Sequence, residues 1–191
     1  MITIYSSDSM GVRGNCLYLY RHEVMDAAGL REAVKHDYVC AEYKNSYRSG
    51  GNFITSNCLG MDCDNDHTDH AHEWITPDDV RRNFPDVPLA IHFSRHHMKL
   101  KDQKSARPRF HCLFAIEPTT DVKAYADMKA RLNALFPYFD AQALDGARFF
   151  FGTDNPEVDF FPGTITLDEC LERYYPEEDS FANLPDGIPQ G

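Results

Sequence analysis

Apolar residues recur along the chain in short runs whose spacing alternates between that of strands and that of helices. Runs rich in apolar and aromatic residues predict five strands, at residues 38–43, 53–61, 89–93, 110–116 and 149–151. Helical spacing and start signals predict four helices, at 27–35, from Thr76 to about residue 84, from Thr119 or Thr120 to Leu135, and from Thr166. This interleaving indicates an α+β or α/β domain with a mixed or antiparallel sheet.

The chain length of 191 residues fits one domain or two closely packed subdomains. We expect a catalytic or binding domain over residues 1–175. Residues 176–191 are polar and rich in proline and glycine, which is typical of a linker that leads to a further domain. We also expect a soluble cytoplasmic protein with no membrane partner, because no signal peptide or membrane-length apolar run is recognisable. The six scattered cysteines are expected to be reduced thiols.

A pair of aspartates follows the apolar run at 52–59. Asp62 and Asp64 are two residues apart, so they share a face if the strand continues to this point. Two nearby carboxylates repel each other unless a cation lies between them, and oxygen ligands suit a hard divalent cation. Asp66 is an alternative partner if the strand ends earlier. We prefer Asp62 and Asp64, because Leu59 and Met61 continue the buried alternation up to them.

Basic residues are concentrated in one stretch of an otherwise acidic chain. The net charge of −11 argues against nucleic-acid binding through bulk positive charge. Residues 94–104 nevertheless form a dense basic run after a predicted strand, and Arg109 and His111 share a face at the start of the next strand. Arginine and histidine side by side suit the binding of a phosphate chain. The alternative is a solvated loop beside a half-exposed strand.

A third acidic position lies just after the long helix. Asp140 follows the aromatic pair Tyr138–Phe139, and Arg148 leads into the aromatic strand. Asp140 is a candidate third carboxylate ligand, and Arg148 is a candidate phosphate contact. Alternatively, these residues are a turn acid and a surface arginine.

In their order and intervals, these three motifs resemble those of the archaeo-eukaryotic primase superfamily, including primase–polymerases of plasmids, phages and integrated elements. The matching segments are Asp62-Cys63-Asp64, Arg109-Phe110-His111 and Phe139-Asp140. The resemblance extends from about Asp37 to Gly163. In one departure, Arg109 stands where the family usually has a small polar residue two positions before the histidine.

The resemblance implies an RRM-like catalytic sheet packed against a second α/β subdomain, within the α+β class. It also implies a DNA primase or polymerase that joins nucleoside triphosphates on a single-stranded DNA template, with Mg²⁺ or Mn²⁺. A helicase or accessory primase domain is the expected carboxy-terminal partner. The implied metal ligands are Asp62, Asp64 and Asp140, and the implied triphosphate contacts are His111, Arg109, Arg148, Ser94 and Lys104.

Three other interpretations of these residues remain open. Cys63, His67, His70 and His72 suggest a zinc site, although their spacing is not that of a standard zinc finger. His70-Ala71-His72 also has the His-hydrophobic-His pattern of rolling-circle nicking endonucleases, with Tyr125 as the nucleophile. Finally, the chain is compatible with a nucleic-acid-binding replication module that has lost catalysis.

Overall fold

Two antiparallel sheets and four α-helices form the part of the chain that the computed structural model describes, residues 1–142 and 144–177. The strands are β1 (Ile2–Ser6), β2 (Tyr20–Val24), β3 (Tyr38–Val39), β4 (Glu42–Tyr43), β5 (Phe53–Cys63), β6 (Leu89–Phe93), β7 (Phe110–Thr119), β8 (Phe149–Phe150) and β9 (Val158–Phe161). The helices are α1 (Ala27–Ala33), α2 (Pro77–Asn83), α3 (Val122–Leu135) and α4 (Leu167–Tyr174). This architecture confirms the α+β class.

The smaller sheet has the strand order β2-β1-β3-β8, and the larger sheet has the order β4-β5-β7-β6-β9. Every named pairing in both sheets is antiparallel. The segment β5-α2-β6-β7-α3 has the βαββα order of an RRM-like unit, and its strands lie in the order first, third, second. The next strand, β8, does not return to this sheet but pairs with β3 of the other one. The fold therefore contains an RRM-like sheet and a second sheet, of which β8 is an edge strand.

The larger sheet is covered on both faces. One face packs its alternate residues, such as Leu59, Met61 and Cys112, against the side of the molecule that carries α2, α3 and α4. The opposite face packs Cys58 and Leu113 against α1 and the smaller sheet. Since successive strand residues point to opposite faces, Asp62 lies on the face directed toward the smaller sheet.

Gly60 allows the two sheets to approach closely. A Cβ atom at this position would lie 2.6 Å from the Phe150 ring of β8 and 2.9 Å from the Cys40 sulfur. Both neighbours are buried, so neither can move away without disturbing the core. The absence of a side chain at Gly60 thus lets β8 lie beside the end of β5.

The helix boundaries follow local start signals. Thr76 and Thr166 cap α2 and α4, each within a capping box completed by Asp79 or Glu169. The predicted cap of α3 was wrong: Asp121, rather than Thr119 or Thr120, accepts hydrogen bonds from the first turn. A carboxylate that accepts two backbone N–H bonds satisfies more of the free donors there than a hydroxyl does.

Other sequence expectations need correction. The predicted strand 38–43 is divided, with β3 in the smaller sheet and β4 in the larger one. The helical spacing predicts that the apolar face of α3 extends to Leu135, but Leu135 is 41% exposed, whereas Lys129 is buried and donates to the Asp145 carbonyl oxygen. Strands β1, β2 and β9 were not predicted, because their sequences lack a long apolar run. All six cysteines are free thiols, as expected.

The predicted linker lies mostly outside the described residues, since residues 178–191 are not described. Among the described helices, none combines the length and apolarity needed to cross a membrane.

Candidate active site

A cavity of about 680 Å³ lies between the two sheets, where β5 ends and β7 begins. The aromatic segment Phe149–Phe151 forms part of its wall. Six of the side chains predicted from the sequence also line it, namely Asp62, Asp64, Ser94, His111, Asp140 and Arg148. The fold therefore brings together residues that are up to 86 positions apart in the chain.

Strand register determines the position of Asp62. Asp62 lies opposite His111 of β7, and His111 lies opposite His92 of β6. The Asp62 carboxylate accepts a hydrogen bond from Nδ1 of His111 on one oxygen. Its other oxygen accepts bonds from Nε and an Nη atom of Arg148, at 3.1 and 2.6 Å. Asp62 is thus held from both sides in one orientation.

The electrostatics of this cluster favour an ionised Asp62. The side chain is only 5% exposed, and burial alone would raise the pKa of its carboxyl group. The positive charges of His111 and Arg148, together with their hydrogen bonds, outweigh burial and hold the pKa of Asp62 well below its usual value. An ionised carboxylate therefore faces the cavity at neutral pH.

Asp64 is held differently. It follows the last residue of β5, and its carboxylate forms an ion pair of 2.6 Å with the Nζ atom of Lys101. Lys101 belongs to the basic run 94–104, which follows β6 as a loop. The two side chains are 21% and 29% exposed, so water reaches both. Lys101 was not singled out from the sequence, because the basic run 94–104 contains four lysines and arginines with similar surroundings.

Asp140 is fixed to the same site through its backbone. Its N–H donates to the carbonyl oxygen of Asp62 at 2.9 Å, and its carboxylate accepts from the N–H of Gln142 at 2.8 Å. The first bond joins the loop after α3 to the end of β5. The third predicted carboxylate therefore borders the same cavity as the first two.

The donor set suits a hard divalent cation, because three carboxylates border one cavity. Within residues 1–142 and 144–177, however, no three His, Cys, Asp or Glu side chains converge closely enough to hold a metal ion. The side chains themselves explain this arrangement: Asp62 and Asp64 are turned toward basic partners that balance their charge.

Comparisons with known proteins give a structural match but no sequence match. No family model matches the chain, and no curated protein matches it. A similar solved structure is titled "Cyanophage S-2L Primase-Polymerase (PrimPol), AEP domain (PP-N190)". It aligns over 90% of this chain and 88% of that chain, with 16% identity and a TM-score of 0.47. Because the sequence identity and the TM-score are this low, the function has to be inferred from the side chains that line the cavity.

Arg109 lies elsewhere than we expected. Its side chain is fully buried and donates to the carbonyl oxygens of His96 and Lys99, at 3.3 and 2.8 Å. It does not line the cavity. Arg107 plays a parallel part, since its guanidinium group donates to the carbonyl oxygens of Asn65 and Thr68. The two arginines thus hold the loops on either side of the site, and Arg109 is reassigned from phosphate contact to loop support.

Lys104 also lies outside this cavity. Its ammonium group is 3.2 Å from the Asp66 carboxylate, and both residues line a neighbouring cavity of about 630 Å³. Asp66 itself is 3.8 Å from the buried guanidinium group of Arg109. Asp66 therefore balances basic residues beside the site, and it does not border the cavity of Asp62 and Asp64.

A buried polar chain beneath His111 was missed in the sequence. His92 is fully buried, with Nδ1 3.1 Å from the Tyr38 hydroxyl and Nε2 2.9 Å from the Thr153 hydroxyl. Burial, and secondarily the charge of His111, lowers the pKa of His92 well below its usual value. His92 is therefore neutral and supports the His111 ring, whose centroid is 5.4 Å away. Only the pairing of β6 with β7 reveals this role.

The geometry favours neither the zinc site nor the nicking endonuclease. Cys63 is buried in the core on the helix-covered face, whereas His67, His70 and His72 are exposed. Burial raises the pKa of the Cys63 thiol, which opposes the thiolate that zinc requires. Tyr125 is also buried, and its hydroxyl donates to the Cys58 carbonyl oxygen at 2.9 Å. The proposed nucleophile is thus a core residue.

Proposed function

We propose that this chain is a template-directed nucleotidyltransferase, a DNA primase–polymerase that makes or extends primers on single-stranded DNA from nucleoside triphosphates. The supporting observation is that Asp62, Asp64 and Asp140 border one cavity together with His111 and Arg148. Carboxylates beside phosphate-binding cations are the combination that phosphoryl transfer between nucleotides needs.

Asp62, Asp64 and Asp140 would hold Mg²⁺ or Mn²⁺ through their carboxylate oxygens. When bound, these cations would neutralise the triphosphate and stabilise the charge that develops on the phosphoryl group during transfer. Asp62 is suited to this role, because its neighbours keep it ionised despite its burial.

His111 and Arg148 are suited to bind the triphosphate. Nδ1 of His111 is engaged by Asp62, which leaves Nε2 as the ring nitrogen that would donate to a phosphate oxygen. Arg148 is 35% exposed, and its planar guanidinium group can pair with two phosphate oxygens at once. Ser94 adds a hydroxyl donor at the cavity wall. These groups would orient the triphosphate relative to the three carboxylates.

Primer synthesis and primer extension on single-stranded DNA test the proposal. Labelled ribo- and deoxynucleotides are supplied with Mg²⁺ or Mn²⁺, and wild type is compared with Asp62→Ala. We expect incorporation by the wild type and its loss in Asp62→Ala. His70→Ala is the matched control, because His70 is exposed outside the cavity, and it should retain wild-type incorporation.

Two other results would contradict the proposal. A covalent tyrosine–DNA adduct would instead indicate a nicking enzyme. Binding of single-stranded DNA without any incorporation, under every combination of metal and nucleotide, would indicate a non-catalytic replication module.

A further inference from the structure

Asp62 and Asp64, at and just after the end of β5, are paired with basic side chains that differ in mobility. Asp62 is paired with His111, which is held in β7, and with Arg148, which immediately precedes β8. Asp64 is paired with Lys101, which lies in a loop and reaches Asp64 through a long flexible side chain. A lysine of this kind is a mobile point charge that can leave its partner without moving a strand.

The loop that carries Lys101 is firmly held at its base. The N–H of Ser94 donates to the Arg109 carbonyl oxygen, and the N–H of Met98 donates to the Arg107 carbonyl oxygen. The buried Arg109 side chain then binds the carbonyl oxygens of His96 and Lys99. These bonds fix the loop up to about residue 99.

The tip of the loop has few attachments. Lys101 and Lys104 pair with each other through their backbones around a tight turn, in which Asp102 and Gln103 have φ values of 50° and 64°. Leu100, beside this turn, is 74% exposed. In the described residues, the side-chain bonds from the tip to the rest of the protein are those of Lys101 to Asp64 and of Lys104 to Asp66.

The ion pair between Asp64 and Lys101 also lies where two cavities meet. The cavity of about 680 Å³ and its neighbour of about 630 Å³ are both lined by Asp64, Lys101 and Asp140. If Lys101 moved away from Asp64, the Asp64 carboxylate would therefore be exposed to both cavities.

We propose that Lys101 is an exchangeable internal counter-ion: it neutralises Asp64 in the metal-free protein and leaves when a divalent cation binds there. The freed ammonium group of Lys101 then moves to the phosphates of the incoming nucleotide. This inference rests on the proposed function, since it assumes that Asp64 is a metal ligand. It explains how three carboxylates border one cavity without converging on a metal position.

The exchange follows from charge balance. Lys101 and a divalent cation compete for the same carboxylate oxygens, so each weakens the binding of the other. Nucleotide phosphates provide a new partner for the displaced ammonium group, so nucleotide and metal should favour each other's binding. The loop would thereby couple metal loading to nucleotide binding.

Mn²⁺ binding without nucleotide or DNA tests this directly. Free Mn²⁺ is measured by electron paramagnetic resonance during titration of the wild type, Lys101→Met and Lys99→Met. Methionine preserves much of the aliphatic side chain and removes the charge. Lys99 is the matched control, because it lies in the same loop and bonds the Arg95 carbonyl oxygen rather than a carboxylate. We expect Lys101→Met to lower the Kd for Mn²⁺ by roughly three- to tenfold, and Lys99→Met to leave it within about twofold.

Each outcome has a separate meaning. Equal Kd values for wild type and Lys101→Met would overturn the exchange, even if the wild type polymerises nucleotides. Tighter binding in Lys101→Met supports the exchange, even if no polymerisation is found. If neither protein binds Mn²⁺, both the exchange and the metal-dependent function are wrong.

Hydrogen exchange gives a second readout. Upon addition of Mn²⁺ alone, amides 100–104 of the wild type should exchange faster, because the tip loses its bond to Asp64. Unchanged exchange at these amides in metal-loaded protein would contradict the release of the tip.

Discussion

Asp62 and Asp64 are two residues apart, yet their surroundings differ. Asp62 is the penultimate residue of a strand, is 5% exposed, and is held by His111 and Arg148. Asp64 comes just after the strand, is 21% exposed, and is held by one lysine from a loop. The comparison shows how one site combines a preorganised carboxylate with an adjustable one. Strand register provides the first, and a loop ion pair provides the second.

The largest expected effect is that of replacing Asp62 or Asp64, which should affect activity similarly and stability differently. Both Asp62→Asn and Asp64→Asn should lower nucleotide incorporation at least about a hundredfold, since each removes a charged ligand. Only Asp62→Asn should lower the free energy of unfolding substantially, by about 2 kcal/mol, because it breaks a buried charge cluster. Asp64→Asn should change it by less than about 1 kcal/mol. Incorporation assays and urea unfolding measure the two effects, and equal losses of stability would refute the comparison.

The second prediction concerns the packing beneath Asp62. Gly60→Ala should lower the free energy of unfolding by about 1–3 kcal/mol, because the added Cβ would overlap the Phe150 ring. Incorporation should fall as well, since Phe150 also contacts the His111 ring, with centroids 4.9 Å apart. Gly51→Ala is the control, because nothing lies within 4 Å of a Cβ atom there. Similar stability of the two variants in thermal unfolding would show that the sheets have room to separate.

The third prediction uses pH. His92 is neutral in the folded protein, whereas in the unfolded chain it gains a proton as the pH falls below about 6.5. The unfolded state then binds more protons, so the free energy of unfolding should decrease as the pH falls from about 6.5. Asp62 has a lowered pKa in the folded protein, so its contribution to the free energy of unfolding is lost only when the pH falls below the pKa of the unfolded chain, near 3.8. The contributions of His92 and Asp62 therefore change over separate pH ranges.

His92→Gln identifies the source of the decrease between pH 6.5 and 4.5. This variant should show a flatter dependence of unfolding free energy on pH over that range. His70→Gln, an exposed control, should keep the wild-type slope. An unchanged slope in His92→Gln would assign the decrease to other groups.

The smallest expected effect is that of Lys104→Met. Its ion pair with Asp66 is 40% exposed on both sides, so its removal should change the free energy of unfolding by less than about 0.5 kcal/mol. Chemical denaturation checks this value. A loss well above 1 kcal/mol would show that the tip of the loop is attached more firmly than its few contacts indicate.

Much of the site was predictable because local patterns encode it. The alternation of Leu59 and Met61 assigned the opposite face to Asp62, and the cap at Thr76 marked the start of α2. The three motifs also contain four residues that line the cavity, Asp62, Asp64, His111 and Asp140. The roles of Arg109 and Lys104 were not predictable in this way. Nothing in the spacing of a basic residue tells whether its long side chain reaches a cavity, a loop carbonyl or a neighbouring acid.

The sequence alone determined the α+β class, the main strands and helices, and the order in which carboxylate, histidine and carboxylate occur. Those features depend on neighbours within a few positions, through periodicity and capping. Only the tertiary structure decided that His92 lies beside His111, that Gly60 admits Phe150, and that Lys101 rather than Lys104 reaches Asp64. Each of these contacts joins distant segments, so it depends on strand register and loop path, which local patterns do not specify.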